Sequence, residues 1–343
     1  MIKKNNFDFV AIGDIVIDAF INLKAARVRE EKGHPELCLS FADKIPYKTV
    51  DVIPAVGNSA NASVSASRLG LNSALVTNIG ADDDGRTCQR VLEDEGVSTD
   101  FVKIHPDQKT NYHFVLLYHA DRTILVKHAE FDYKVQDIGK PKWVYLSSLA
   151  ENSLPYHNEI FNYLKTNPEI KLAFQPGTFQ MELGYEKLKN IYENTEIFFC
   201  NVQEAKRILG EIEPTILTDS FNSDKKKIIF RLLQEMKKLG PKIVVITDGP
   251  DGAYTYDGEK TLFVPMYPDQ KEPFDRTGAG DAFSSTVTSA LACGKTLEEA
   301  LLWGPINSMS VIQYIGAQKG LLTREQLEKY LAEAPEDYKI TEL

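Results

Sequence analysis

The sequence predicts an α/β protein: a mostly parallel central sheet with helices on both faces, plus a small β appendage. Three observations carry this. Four short apolar strands, Trp143–Leu146, Lys171–Phe174, Ile197–Cys200 and Ile243–Thr247, alternate with helical stretches such as Pro155–Lys165 and Lys225–Lys238. Strands spaced by helices pair in parallel, and a parallel sheet needs cover on both faces. Phe7–Ile12 is an apolar strand broken by Gly13, with Asp14 and Asp18 just beyond it. In open α/β sheets such strand ends deliver polar residues to a ligand crevice. Finally, Asn111–Tyr118 and Thr123–Lys127, rich in aromatic and β-branched residues and split by Ala120-Asp121-Arg122, read as a hairpin.

The remaining elements follow in order. Residues 24–44 are polar and mixed in charge and read as an inserted, solvated excursion. Val50–Ile53 reads as a strand, Ala62–Leu69 as a helix stopped by Gly70, Ser73–Ile79 as a strand ending at Gly80, and Arg86–Glu95 as a helix ending at Gly96. Asp281–Leu331 is nearly all helical in pattern. The expected organisation is a single domain over residues 1–343, with the appendage built from about 14–56 and 97–130.

Composition sets the limits. The 343 residues hold 39 basic and 49 acidic side chains, a net charge of −10, with 43% hydrophobic and 26% charged residues. That balance excludes a disordered chain and argues against a nucleic-acid partner held through phosphates. No uninterrupted apolar run is long enough to span a membrane. The four cysteines, Cys38, Cys88, Cys200 and Cys293, form no CxxC pair, and the six histidines form no HExxH pair. Met1–Phe7 carries two lysines but no apolar stretch of signal-peptide length. The expected setting is reduced and cytoplasmic, without disulfides or structural zinc.

The segment richest in chemistry is Phe274-Asp275-Arg276-Thr277-Gly278-Ala279-Gly280-Asp281-Ala282-Phe283. Two glycines flank a small residue immediately before a long helical stretch. Such a turn exposes backbone N–H groups at a helix start, an anion site. A carboxylate there repels a static phosphate. It makes sense as a base that takes a hydroxyl proton while the amides stabilise a moving phosphoryl group. The same spacing also fits a plain Gly-rich helix start, with Asp281 as a first-turn acid. A dinucleotide loop wants a third glycine where Phe283 stands, and a Walker loop wants a GK[ST] that is absent.

With DRTGAGD in view, the sequence resembles the ribokinase-like (PfkB) carbohydrate kinases, whose signature is DTxGAGD. Gly13-Asp14-Ile15-Val16-Ile17-Asp18 is similar to that family's first strand end. Val56-Gly57-Asn58-Ser59-Ala60-Asn61 resembles its GGxxAN, and Gly80-Ala81-Asp82-Asp83-Asp84-Gly85 its GxDxxG. Asn201-Val202-Gln203-Glu204 resembles its NxxE, and Thr247-Asp248-Gly249-Pro250-Asp251-Gly252 its TxGxxG. The matches keep the family's order over about residues 8–320. The resemblance implies the ribokinase-like three-layer fold, with the appendage as a β-sheet lid.

The resemblance also implies roles. Asp281 matches the catalytic base, with Gly278, Ala279 and Gly280 supplying anion-hole amides. Asp18 matches the aspartate that binds substrate hydroxyls, and Asp14 is the expected second contact, or else a turn residue after Gly13. Gly57 and Asn61 match substrate-side positions, with Asn58 a further candidate. Asn201 and Glu204 match the pair near magnesium and phosphate, acting through water; a first-turn helix acid is the alternative for Glu204. Thr247, Gly249 and Gly252 match the nucleotide loop, and Asn307 the adenine flank. Asp275 and Thr277 match positions that hold a monovalent cation, so potassium joins ATP and Mg2+ among the implied cofactors.

Two departures stand out. Val56 replaces the first glycine of GGxxAN, and a β-branched residue disfavours positive φ. Arg276 stands where the signature has threonine, beside the anion hole or facing solvent.

The implied function is ATP-dependent phosphorylation of a sugar hydroxyl, with an exposed lid sheet suited to pairing in a homodimer. A nucleoside kinase needs an aromatic base pocket, for which Tyr112, Phe114, Tyr118 and Phe20 are available. A phosphorylated sugar needs a cation from Lys24, Arg27 or Arg29. A nucleotide-binding oxidoreductase is the alternative from another class.

Overall fold

The computed structural model describes residues 6–31, 34–119, 121–212 and 225–343. Met1–Asn5, Lys32 and Ala120, which enter the readings above, lie outside the described residues. The strands are β1 (Phe9–Ile12), β2 (Val16–Leu23), β3 (Arg27–Glu31), β4 (His34–Cys38), β5 (Tyr47–Val56), β6 (Ser73–Gly80), β7 (Val102–His105), β8 (Asn111–Tyr118), β9 (Asp121–Leu125), β10 (Trp143–Leu146), β11 (Lys171–Phe174), β12 (Ile197–Asn201), β13 (Ile243–Thr247), β14 (Ala253–Tyr256), β15 (Thr261–Val264) and β16 (Thr341–Glu342). The helices are α1 (Asn58–Arg68), α2 (Asp83–Asp94), α3 (Leu154–Thr166), α4 (Thr178–Leu183), α5 (Tyr185–Glu193), α6 (Val202–Ile212), α7 (Lys225–Lys238), α8 (Ala279–Ala292), α9 (Leu297–Val311) and α10 (Arg324–Ala332).

Ten strands form one sheet in the order β16-β15-β14-β13-β12-β11-β10-β1-β6-β7. From β13 to β7 every pairing is parallel, and β14, β15 and β16 add an antiparallel edge. Alternate residues of a strand point to opposite faces, and the core divides accordingly. Phe9, Ala11, Tyr145, Ala173 and Phe199 pack with side chains from α1, α2, α8, α9 and α10. Val10, Ile12, Leu146, Phe174 and Cys200 pack on the other face with α3, α5, α6 and α7. This is the expected three-layer arrangement around a mostly parallel sheet.

A second, four-stranded sheet has the order β5-β2-β8-β9, with β2 and β8 parallel and the outer pairs antiparallel. It differs from the sequence reading in three ways. Val16–Leu23 is one of its two central strands, unread in the sequence because Asp18 and Asn22 interrupt the apolar run. The excursion at 24–44 contains the β3–β4 hairpin rather than loop alone. Val102–His105 pairs parallel with β6, so this part of 97–130 belongs to the large sheet. Boundaries also move: β1 starts at Phe9, β5 extends over Tyr47–Val56, and β9 starts at Asp121. The helix expected from Ala62 starts at Asn58, and the one expected from Arg86 starts at Asp83, where Asp82 caps it by accepting from the Gly85 N–H. The helical C-terminal stretch is three helices, two of them opened by capping boxes at Thr296 and Thr323.

The GxDxxG stretch braces this frame. Asp82 Oδ1 also accepts from the Thr110 hydroxyl at 2.6 Å and Oδ2 from the Thr110 N–H at 3.1 Å, tying α2 to the entrance of β8.

Candidate active site

The C-terminal ends of the parallel strands lie side by side, and the chain places polar residues there. Asn201 closes β12 and pairs in register with Thr247, which closes β13. Gln175 follows β11, and Gly13 and Asp14 follow β1. The start of α8 meets this edge, so Asp281 comes within bonding distance of residues far away in sequence.

Asp281 is held by one amide on each carboxylate oxygen. Asn61 Nδ2 donates to Oδ2 at 2.8 Å, and Gln175 Nε2 donates to Oδ1 at 3.1 Å. Both amides are locked in that orientation. The Asn61 carbonyl accepts from Gln318 Nε2 at 3.0 Å. The Gln175 carbonyl accepts from the hydroxyls of Tyr145 and Ser284. An amide whose oxygen end is occupied presents its N–H groups at the other end. Burial raises the Asp281 pKa, the two amide bonds lower it, the charge of Asp18 raises it further, and that of Arg122 lowers it; the net direction is up. Gln175 and Arg122 escaped the sequence reading. Gln175 directly follows a buried strand, the position from which α/β sheets present ligand contacts, and that was the available signal.

The turn before α8 is shaped by Gly278. It has φ +79° and forms the N-cap. A Cβ there would lie 2.3 Å from the Ala317 Cβ. The first N–H groups of a helix have no intrahelical partner. Among the three expected donors, Ala279 N–H makes only a long contact, 3.5 Å, to the Arg276 carbonyl. Arg276 is exposed beside this turn. Asp275 Oδ1 accepts from the N–H and hydroxyl of Thr277 at 2.9 and 2.7 Å, and Oδ2 from the Gly316 N–H at 3.1 Å. Both oxygens therefore brace the loop.

Asn201 and Glu204 form a reciprocal cap on α6. Asn201 Oδ1 accepts from the Glu204 N–H, and Glu204 Oε2 accepts from the Asn201 N–H, each at 2.9 Å. The cap uses one carboxylate oxygen of a partly buried side chain whose pKa is raised by burial and by Asp281, against the lowering from Asn201. Magnesium takes oxygen ligands and keeps several waters, so this carboxylate suits an ion held through water. The Thr247–Gly252 turn is closed by the Asp248 N–H bonding the Gly252 carbonyl at 2.8 Å, with Gly249 and Gly252 both at positive φ.

Other expected contacts sit elsewhere. Asp14 is 2% exposed; it accepts from the Tyr133 hydroxyl on both oxygens, at 2.8 and 2.9 Å, and Oδ2 lies 2.8 Å from His128 Nδ1. It is an internal anchor rather than a surface offered to substrate. Asn307 is fully buried: Nδ2 donates to the Thr286 hydroxyl and Oδ1 accepts from the Leu322 N–H, so it braces the packing of α8, α9 and the following loop instead of flanking a base. Gly57 has φ +109°, and a Cβ there would meet the Asp14 carbonyl at 2.7 Å. The departure at Val56 resolves simply: Val56 is ordinary strand paired with Val16, and the positive φ falls on Ala55, at 59°, and Gly57. Asn58 opens α1. Asp18 lies opposite His113 across β2 and β8.

A family model described as pfkB family carbohydrate kinase matches residues 48–324, from β5 through the first residue of α10. This chain is a pfkB-family carbohydrate kinase. Its relatives include the ribokinase of Bacillus subtilis, 29% identical over 283 residues, 80% of this chain and 87% of that protein. The ATP-dependent 6-phosphofructokinase of Thermoanaerobacterium thermosaccharolyticum is 27% identical over 274 residues, 76% of this chain and 80% of that one. The ribokinase of Arabidopsis thaliana, solved with ribose and ATP, superposes with a TM-score of 0.78 at 21% identity, covering 95% of this chain and 99% of that one. The kinase fold is thus ribokinase-like, and the protein is a sugar kinase. No helix among the described residues of this kinase is long and apolar enough to cross a membrane.

Proposed function

We propose that this kinase transfers a phosphoryl group from ATP to a sugar hydroxyl, with Asp281 as general base. The observation that carries the reading is Asp281 itself: a partly buried carboxylate at a helix start, with each oxygen held by an oriented amide donor. A carboxylate oxygen has lone pairs beyond one such bond, so Asp281 accepts the acceptor's proton while it stays fixed. The Gly278–Gly280 amides face the charge that builds on the transferring group. Glu204 and Asn201, the latter in register with Thr247, would hold magnesium, which would supply charge neutralisation for the phosphates. Asp18 accepts from acceptor hydroxyls, and the four-stranded sheet covers the acceptor and excludes water.

The alternatives fare less well. Tyr112, Phe114 and Tyr118 lie on the opposite face of β8 from His113, so they do not form a base pocket beside Asp18, and Phe20 is buried. Phe283 is buried in the core where a dinucleotide loop needs glycine. The test is ADP release over a panel of pentoses, hexoses, sugar phosphates and nucleosides. A sugar or sugar phosphate is expected to stimulate release well above the ATP-only rate; stimulation by nucleosides alone overturns the sugar reading.

The homodimer belongs to the same proposal. Val52, Ala19, Phe114 and Leu125 are cross-strand neighbours in one row over all four strands, and Val52, Phe114 and Leu125 are 53, 44 and 52% exposed. A continuous apolar row of this kind marks an interaction surface. Sedimentation is expected to show a dimer that Val52→Lys with Phe114→Lys turns into a monomer. A wild type that stays monomeric at tens of micromolar rejects the pairing.

A further inference from the structure

The sugar-facing side of the small sheet carries a histidine that no motif predicts. His113 lies directly opposite Asp18 in the parallel β2–β8 pairing. Its Nδ1 is 3.4 Å from Asp18 Oδ1. Yet Asp18 Oδ1 and His113 Nε2 are both buried atoms without a hydrogen-bond partner. Two unsatisfied polar atoms on neighbouring side chains are costly in a finished core, and they need an account.

The ring is not loosely placed. His113 packs on His128 with ring centroids 5.2 Å apart, and His128 packs edge-on against Phe179 at 5.4 Å. His128 is in turn fixed through Nδ1 by the buried Asp14–Tyr133 pair. Asp14, which does not face substrate, therefore positions the histidine pair from behind. With Nδ1 beside Asp18, the other ring nitrogen is the end left for a ligand. A neutral imidazole whose Nδ1 carries the proton presents Nε2 as an acceptor. A hydroxyl both donates and accepts, so adjacent hydroxyls satisfy Asp18 Oδ1 and His113 Nε2 together.

We propose that His113, through Nε2, reads an acceptor hydroxyl next to the one bound by Asp18, so that the pair selects a vicinal diol. The inference rests on the sugar-kinase reading of this site. It names a substrate-contacting specificity residue.

The experiment compares kcat/KM, from ADP release, for sugars paired with deoxy analogues: D-ribose with 2-deoxy-D-ribose, and D-fructose with 3-deoxy-D-fructose. Wild type is expected to favour the parent sugar by tenfold or more in at least one pair. His113→Leu is expected to bring that ratio close to one, mainly by lowering kcat/KM for the parent and leaving the deoxy sugar within about threefold. His113→Gln, which keeps an acceptor, is expected to recover part of the ratio. If His113→Leu fails to fold, judged by its melting curve, the ratio is read in His113→Phe, which keeps the bulk of the ring. A variant that retains the wild-type ratio overturns the inference and leaves the kinase reading standing, as does a wild type that is active on both members of every pair without discriminating. A wild type that no sugar or sugar phosphate of the wider panel stimulates overturns the proposed reaction and takes this inference with it.

Discussion

Asp281→Asn is expected to lower turnover on the best acceptor by on the order of 10²–10⁴, the range for removing a general base. The folded state is expected to survive. An amide is nearly the same size and removes a negative charge from a site that already holds Asp18 and Glu204, but its NH2 meets one of the two locked donors, Asn61 or Gln175, and that bond is lost. The sign of the charge effect follows from linkage. A carboxylate whose pKa is raised on folding contributes stability below its unfolded pKa and loses it as pH rises through the folded value, so at neutral pH the ionised group costs stability. The lost hydrogen bond and the relieved charge oppose each other, so the melting temperature of Asp281→Asn at pH 7 should stay near that of wild type, while kcat collapses. The same shift places the acid limb of the wild-type rate profile above the ordinary carboxylate range, since activity falls as Asp281 gains its proton. Near-normal turnover in the asparagine variant would remove Asp281 from the role of base.

Gly278→Ala carries the second large expectation. Its φ of +79° puts the residue in the left-handed region, and the added methyl would come within 2.3 Å of the Ala317 Cβ and 2.6 Å of its Cα. The left-handed geometry alone costs an alanine about 1–2 kcal/mol. Relief requires the turn to move, and the amides at the start of α8 move with it. Loss of a single such donor typically lowers turnover by about 10²–10³, and we expect a fall of that order together with a lower melting temperature. Gly280→Ala is the control. Its methyl would meet nothing closer than Gln175 Nε2 at 3.9 Å, and its stability should stay near that of wild type. A Gly278→Ala variant that melts and turns over like wild type contradicts the steric account.

Much of this was legible in the residues. Alternating strands and helices predicted the large sheet because each buried strand is a short apolar run with its own stop, as in Trp143–Leu146 or Ile243–Thr247. The small sheet was half visible. Its β2 strand mixes Asp18 and Asn22 with Ile17, Phe20 and Ile21, and the first six residues of β5 are exposed, so neither reads as a core strand. The site divides the same way. Asp281, Asn61, Asn201 and Glu204 stood out through motifs that resemble those of the family. Gln175, Tyr145, Ser284 and His113 did not, because each is an ordinary residue in its own segment and acquires meaning only from a partner on another strand or helix. Asn307 and Asp14 failed in the opposite sense: polar residues in the right places were claimed by internal partners, Thr286 and Leu322 for one, Tyr133 and His128 for the other.

The bonds that fix Asp281 also date its appearance during synthesis. Asn61 is 220 residues upstream and Gln175 is 106 residues upstream. The orienting Gln318 lies 257 residues beyond Asn61. Contacts of such sequence separation are slow to form, and a large chain reaches them through partly folded intermediates. A nascent chain released as far as β13 can pair β1 with β6 and β10, yet it lacks Asp281, the start of α8 and the Gln318 that orients Asn61. On the proposed role of Asp281, the kinase is chemically silent until its last fifth has docked, and a truncated or stalled chain has no means of spending ATP.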